Sequence, residues 1–380
     1  MAQEQPSGGP GERMAAAYNR TGQSLFPLLA ERSGNVVLSP YSIGTTMAMA
    51  LAGARGATAA EMARVLGLEE AGERVNEANA ALQHKLNADS PKPFELRIAN
   101  ALMLMGRGQV SASYGEALRR DYAAEIFRNA DLARINGWVR DKTRGKIDAI
   151  LDSLPDASAL VLLDAIYFKA PWQKAFDPAI TTNEPFHRRA GAISVPTMHR
   201  RGHFELTSGP GFRALRLPYS GGRTSMLVIL PDRETAELPA RLDERELHRI
   251  IAALHGRPRE VLLDLPRFKA RFGADLVGPL QRLGIQRAFD LRLADFSGIT
   301  GRPTAEYPLA IGTIKHRAVI DVNEQGTEAA AATGMGMVTT SIRPQPETFT
   351  VDRPFVFVVV DDVTGVVLFE GRIADPGQAS

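Results

Sequence analysis

The chain has 380 residues, 44% hydrophobic and 23% charged, with a formal net charge of +2. That suits a soluble globular protein with one sizeable core, and so even a balance gives no general attraction to nucleic acid. No cysteine is present, which excludes disulfides, thiolate metal sites and a cysteine nucleophile. Lysine is scarce, eight against 37 arginines, and with the abundant Ala and Gly this suggests GC-rich coding.

Residues 1–13 read as a polar, disordered tail. They lack the apolar core of a leader peptide, and no run approaches the ~18 apolar residues of a membrane span. An extracellular or periplasmic location is expected if a leader was removed, and a cytoplasmic one otherwise. Asn19-Arg20-Thr21 matches a glycosylation sequon. A short apolar strand at 36–38 precedes Ser39 and Pro40, which fit the cap and first position of a helix. Thr58 and Glu61 fit a capping box for the next helix. The stretch "INGWVRDKTRGKIDAIL" predicts an amphipathic helix through Ile135, Trp138, Val139 and Lys142.

Strands dominate from about residue 158. "ALVLLDAIYF" is apolar on both faces, as a doubly buried strand is. "FRALRLPY" alternates, and "SMLVILP", "EVLLDLP", "PFVFVVVDD" and "GVVLFEGRI" are bounded by Pro, Gly or Asp, with "DVTG" as a hairpin turn. "DLVGPLQRLGI" is a helix among them. Helices first and sheets later predict an α+β fold in one domain, residues 14–380.

Catalytic and metal motifs are missing. "GMGMVT" lacks the third glycine of a dinucleotide fingerprint and precedes no helix. His199 and His203 stand four apart in "HRRGH", where a solvated basic turn is a plainer reading than a metal site. No nucleophile–base arrangement emerges, so no enzyme activity, cofactor or metal is expected.

One stretch stands apart: "NEQGTEAAAATGMGM", residues 323–337. Four alanines, Ala329, Ala330, Ala331 and Ala332, favour helix, yet Gly326, Gly334 and Gly336 each oppose it by about 1 kcal/mol. Together with "NVVLSPYSIGTTMAMALAGARGATAAEM", "LVLLDAIYFKAPWQKAFDP", "LRLPYSGGRTSMLVILP", "HRAVIDVNEQGTEAAAATG" and "RPFVFVVVDDVTGVVLFEGRIADP", it closely resembles the serpins, in matching order and spacing from about residue 14 to 376. The resemblance implies three β-sheets, eight or nine helices and an exposed reactive loop at about 324–348. It also implies an inhibitor of serine proteases, expected as a monomer without nucleic-acid or membrane partners, that acts as a suicide substrate. The protease forms an acyl-enzyme with the loop, which then inserts as a strand and drags the enzyme with it.

Strand alternation from Thr327 is compatible with insertion. Thr327, Ala329, Ala331, Thr333, Met335, Met337 and Thr339 would face inward, and Glu328, the segment's one charge, outward. Gly326 would be the hinge. The family's spacing places the cut fourteen residues after it, at Thr340–Ser341. Counting back from "RPF" points to Arg343–Pro344, and Met337–Val338 is a third choice. Threonine at the cut suits an elastase-like or subtilisin-like protease.

Four residues match a polar cluster that controls sheet opening in the family: Ser39, Ser42, Asp164 and His316. Asp164 stands where the family usually has asparagine, so opening is expected to respond to pH. Trp172, Arg267 and Glu324 match the place where insertion begins, and Glu324 and Arg267 are expected to pair. A heparin-type site is doubtful, since the matching helical region offers only Arg74, His84, Lys85 and Lys92. Inhibition of a papain-like cysteine protease and a non-inhibitory carrier or chaperone role are the alternatives.

Overall fold

The computed structural model describes residues 9–31, 34–69, 74–88, 95–154, 159–233, 242–327 and 345–378. Helix α1 (Pro10–Ala30) begins inside the stretch expected to be tail. Pro10 suits its first turn, and the Glu12 carboxylate accepts a hydrogen bond from the Gly9 N–H at 3.0 Å. Met14, Tyr18, Leu25, Phe26 and Leu29 then bury its inner face.

Helix α2 (Pro40–Gly53) starts as read: Ser39 Oγ accepts from the Ser42 N–H at 3.1 Å, with Pro40 at the first position. It is buried almost all round. Helix α3 (Gly56–Leu66) departs from expectation, because it begins before Thr58 and no capping box forms. Thr58 Oγ1 instead accepts from Asp295 N–H, and one Glu61 oxygen accepts from the N–H groups of Gln286 and Arg287. Both side chains serve a distant segment rather than their own helix. α4 (Val75–Ala88), α5 (Ala112–Tyr122) and α6 (Leu132–Lys142) follow. α6 ends earlier than its sequence pattern suggests, because Arg144 and Gly145 take positive φ. α7 (Glu244–Ala253), α8 (Val277–Arg282) and α9 (Ser297–Thr300) complete nine α-helices among the described residues.

The strands form three sheets. The first is wholly antiparallel, in the order β1 (Val36–Leu38), β16 (Val367–Ile373), β15 (Phe355–Asp361), β9 (Thr224–Pro231), β8 (Phe212–Pro218) and β7 (Leu206–Gly209). The second has four strands, β14 (Glu347–Thr350), β10 (Arg259–Pro266), β6 (Gly191–Phe204) and β5 (Thr182–Arg188). His199 and His203 lie within strand β6 rather than a turn. His199 Nδ1 is 2.7 Å from the Asp264 carboxylate and its Nε2 is 2.8 Å from Thr182 Oγ1.

The third sheet is mixed: β11 (Phe268–Asp275), β12 (Ala310–Asn323), β13 (Gly326–Thr327), β4 (Ala159–Pro171), β2 (Glu95–Leu104) and β3 (Glu125–Arg128). Its inner face joins α1, α2 and the antiparallel sheet in the main core. Its outer face carries a smaller cluster in which Ile135 and Val139 of α6 pack on Ala99, Ala101, Val161 and Leu163. The sequon residue Asn19 is buried, its amide bonded to the backbone of Gly365 and Val367, so it is closed to a glycan.

Candidate loop-insertion site

The centre of the mixed sheet is a parallel pair. β4 runs beside β12 from Ala159/Ala310 to Tyr167/Val319, with a register shift between Ile311 and Thr313. Above Tyr167 and Val319 the short strand β13 lies between them. Thr327 pairs with Val322 on one side and Ala170 on the other, and Gly326 with Asn323 and Pro171, all antiparallel. The first residues of the expected loop are therefore strand, not exposed loop. At the far end, Glu347 and Thr348 already belong to β14. Glu328, Ala329, Ala330, Ala331, Ala332, Thr340 and Ser341, with both alternative cuts, lie outside the described residues.

Gly326 is held by close approach more than by a need for freedom. A Cβ there would lie 2.2 Å from Ala170 O and 2.5 Å from Pro171 Cα, and its φ of +146° disfavours any L side chain. Thr327 is fully buried and its hydroxyl meets the Tyr219 hydroxyl at 2.7 Å. Burial pushes the Tyr219 phenol well up, so it stays a neutral partner for Thr327. Its ring stacks on Trp172 at 4.5 Å, 11° from parallel, with Phe176 at the edge of Trp172.

Trp172 ties this aromatic floor to the end of β12. Its indole Nε1–H donates to Asn323 O at 3.0 Å and its backbone N–H to Gln325 O at 2.9 Å. Glu324 lies beside it, 3% exposed. One of its oxygens accepts from the Arg267 guanidinium and, at 2.6 Å, from Thr181 Oγ1. Burial pulls this carboxyl up, but the Thr181 and Arg267 hydrogen bonds outweigh it and hold it below the usual carboxylate range. The pair is thus more than a surface contact, because the carboxylate is enclosed and doubly bonded. Tyr219 and Thr181 escaped the sequence reading; nothing in "LRLPYSGG" or "PAITTN" sets them apart from ordinary turn residues.

The four polar residues do come together. Asp164 on β4 and His316 on β12 are direct neighbours in the parallel register, and with Ser39 and Ser42 of the α2 start they are fully buried. The Ser39 N–H donates to His316 Nε2 at 3.3 Å, which leaves Nδ1 to carry the ring proton. That N–H points at Asp164 Oδ2, 2.8 Å away, while the Ser42 hydroxyl donates to Oδ1. Asp164 therefore receives one donor per oxygen, and the set ties β4 to β12 and both to α2. Among the described residues no group of three or more His, Asp or Glu could hold a metal ion.

Comparison with known proteins agrees with this architecture. The family profile described as Serpin (serine protease inhibitor) matches residues 16–376. An uncharacterized serpin-like protein of Thermococcus kodakarensis is 36% identical over 95% of this chain and 85% of its own. The leukocyte elastase inhibitor of Bos taurus is 34% identical over 96% of this chain and 100% of its own. Among solved structures, the thermophilic serpin tengpin in its native state aligns with TM-score 0.86 and 25% identity, over 98% of this chain and 96% of that one. Human thyroxine-binding globulin complexed with thyroxine gives the same TM-score and identity over 97% and 100%. An intracellular coagulation inhibitor of Tachypleus tridentatus is among the relatives, so an extracellular location gains no support. No described helix is long and apolar enough to cross a membrane. A profile match spanning nearly the whole chain, relatives above 30% identity and a shared three-sheet fold leave one conclusion: this chain belongs to the serpin family.

Proposed function

We propose that this protein is a suicide-substrate inhibitor of serine proteases that traps the acyl-enzyme by inserting its cleaved loop between β4 and β12. The observation that carries the reading is the seated pair Gly326–Thr327, already hydrogen-bonded to both strands. Insertion would extend this strand downward, replacing one parallel ladder by two antiparallel ones. With about a dozen added residues at roughly 1 kcal/mol net each, the gain is about 10 kcal/mol before packing. The uncleaved form is then a kinetic trap.

We assign the scissile bond to Thr340–Ser341 and the target to an elastase-like or subtilisin-like enzyme, a choice the leukocyte elastase inhibitors among the relatives favour. The test is incubation with elastase, subtilisin, trypsin and papain, followed by denaturing electrophoresis and mass spectrometry of the released peptide. The expected result is a denaturant-resistant ester complex with a serine protease and cleavage after Thr340. Thr327→Arg would bury a charge against Tyr219, and trapping should fall at least tenfold while cleavage continues. A carrier role is the second reading, favoured by the likeness to thyroxine-binding globulin. It predicts cleavage without a complex for every protease. An adduct with papain alone would point to cross-class inhibition.

A further inference from the structure

One polar pair joins α1 to β16 inside an apolar layer. Gln23 on α1 is 6% exposed and Glu370 on β16 is fully buried. Glu370 pairs in the sheet with Leu38 of β1 and Val358 of β15, both fully buried, while Phe369 beside it turns the other way toward Phe168 of β4. Gln23 Nε2–H donates to Glu370 Oε2 at 2.8 Å. The second oxygen of each side chain, Gln23 Oε1 and Glu370 Oε1, is buried without a partner among the described residues. With Glu370 ionised, both orphans are acceptors and neither can serve the other. The interior then holds a charge with one neutral donor, which is costly. One proton on Glu370 Oε1 resolves both, because it turns an orphan acceptor into a donor next to the acceptor that lacks one.

We propose that Glu370 carries a proton on Oε1 and donates it to Gln23 Oε1, closing a two-bonded ring that clasps α1 to β16 and opens when the proton leaves. The elements around the pair supply no cation to the carboxyl among the described residues. Arg372, two residues along β16, donates to Ala30 O at 2.9 Å and Gly34 O at 3.1 Å. On α1, Arg20 turns outward to Glu244 at 3.5 Å and the Tyr18 hydroxyl donates to Asn79. Glu12 and Arg13 lie ten or more residues back along the helix, about 15 Å away. α2 and β1 hold no Asp, Glu, Lys, Arg or His, and burial pushes the Tyr41 phenol of α2 up, so it stays neutral. Asp361, at the end of β15, is held by Arg223 at 2.6 Å. Burial pushes the Glu370 carboxyl up to about 8, with the Gln23 hydrogen bond pulling the other way. The folded group thus keeps its proton through the acid and neutral range, and the clasp is lost as pH rises through about 8.

The test uses the full chain. Infrared spectroscopy at pH 6 should show the carbonyl band of an un-ionised carboxyl, absent from Glu370→Gln and lost from the parent above about pH 9. Gln23→Leu should keep that band and shift it to the frequency of an unbonded acid. Hydrogen exchange along α1, corrected for the chemical rate, should speed on the order of tenfold or more between pH 6 and pH 9 in the parent. It should stay level in Glu370→Gln, whose added amide donates to Gln23 Oε1 without titrating. Absence of the acid band at pH 6 would mean an ionised Glu370 and overturn the proposal. A band that Gln23→Leu leaves unmoved would overturn the ring, and an equal pH response in parent and Glu370→Gln would overturn the clasp. Should Glu370→Gln fail to fold, the parent's band titration and the Gln23→Leu shift still decide. None of these readouts involves the loop, so the clasp stands or falls apart from the inhibitory reading.

Discussion

Two sheets share one core and behave as opposites. In the antiparallel sheet, β9 and β15 are buried at every position and pair without a register shift from Val356/Ile229 to Asp361/Thr224, with mostly apolar side chains. In the mixed sheet the central β4–β12 pair is parallel, slips register near one end and stops at Tyr167/Val319. Beneath it the apolar layer of Leu162, Ile166, Ile314 and Ala318 is interrupted by the Ser39, Ser42, Asp164 and His316 set. Parallel ladders are slightly weaker per residue, and a satisfied polar set contributes geometry more than adhesion. The lesson is that hydrophobicity alone does not decide which sheet parts. On the proposed insertion reading, the direction of pairing and the chemistry under the seam decide it.

The comparison breaks most openly on cleavage. Cutting the loop should raise the melting temperature by on the order of 10–20 °C, from about 10 kcal/mol of added pairing, as scanning calorimetry would show. An unchanged melting temperature would mean that the mixed sheet does not open. Next, Leu230→Ala in fully buried β9 should cost about 2–5 kcal/mol in both intact and cleaved protein, since its sheet does not change on insertion. A loss confined to one form would couple the two sheets.

The antiparallel sheet has one weak point of its own. Glu370 on β16 is fully buried, and Gln23 Nε2–H donates to its Oε2 at 2.8 Å, while Glu370 Oε1 and Gln23 Oε1 find no partner. Burial pushes this carboxyl up to about 8, with the Gln23 hydrogen bond opposing. The unfolded chain releases the same proton near 4.5. Between those values the folded state holds more protons, so stability is greatest at the acid end and falls as pH rises toward 8. Denaturant unfolding at pH 5 and pH 8 should differ through this group by a few kcal/mol, and Glu370→Met should flatten the difference. The smallest effect is at the seam. Asp164→Asn offers one acceptor where two donors now converge, and should lower stability by about 1–3 kcal/mol and speed heat-induced loss of protease trapping. A variant as slow as the parent would remove Asp164 from the control of opening.

Much of this was legible in one dimension, for local reasons. Apolar runs bounded by Pro and Gly marked β4, β8, β9, β10, β15 and β16, and Ser39 before Pro40 marked the start of α2, because those signals act within a few residues. Gly326 and Thr327 were legible by pattern, though not as residues already paired. What stayed hidden depends on distant partners. Thr58 and Glu61 have the spacing of a helix cap and are taken by residues more than 220 positions away. Gln23 and Glu370 are 347 apart, and Tyr219 meets Thr327 across 108.

The seated pair at the top of the mixed sheet also bears on kinetics. In any cooperative ordering the costly act is the nucleus, which fixes several dihedrals before pairing repays them, and later residues add one by one. On the proposed insertion reading, the nucleus here exists before a protease arrives. Gly326 and Thr327 are registered on both sides, so a released segment has no search to perform and only steps to take. The race against deacylation then depends on how fast the seam unzips ahead of the advancing strand. Substitutions at Gly326 or Thr327 should act as an on–off decision, whereas changes along β4 and β12 should scale the rate in graded fashion.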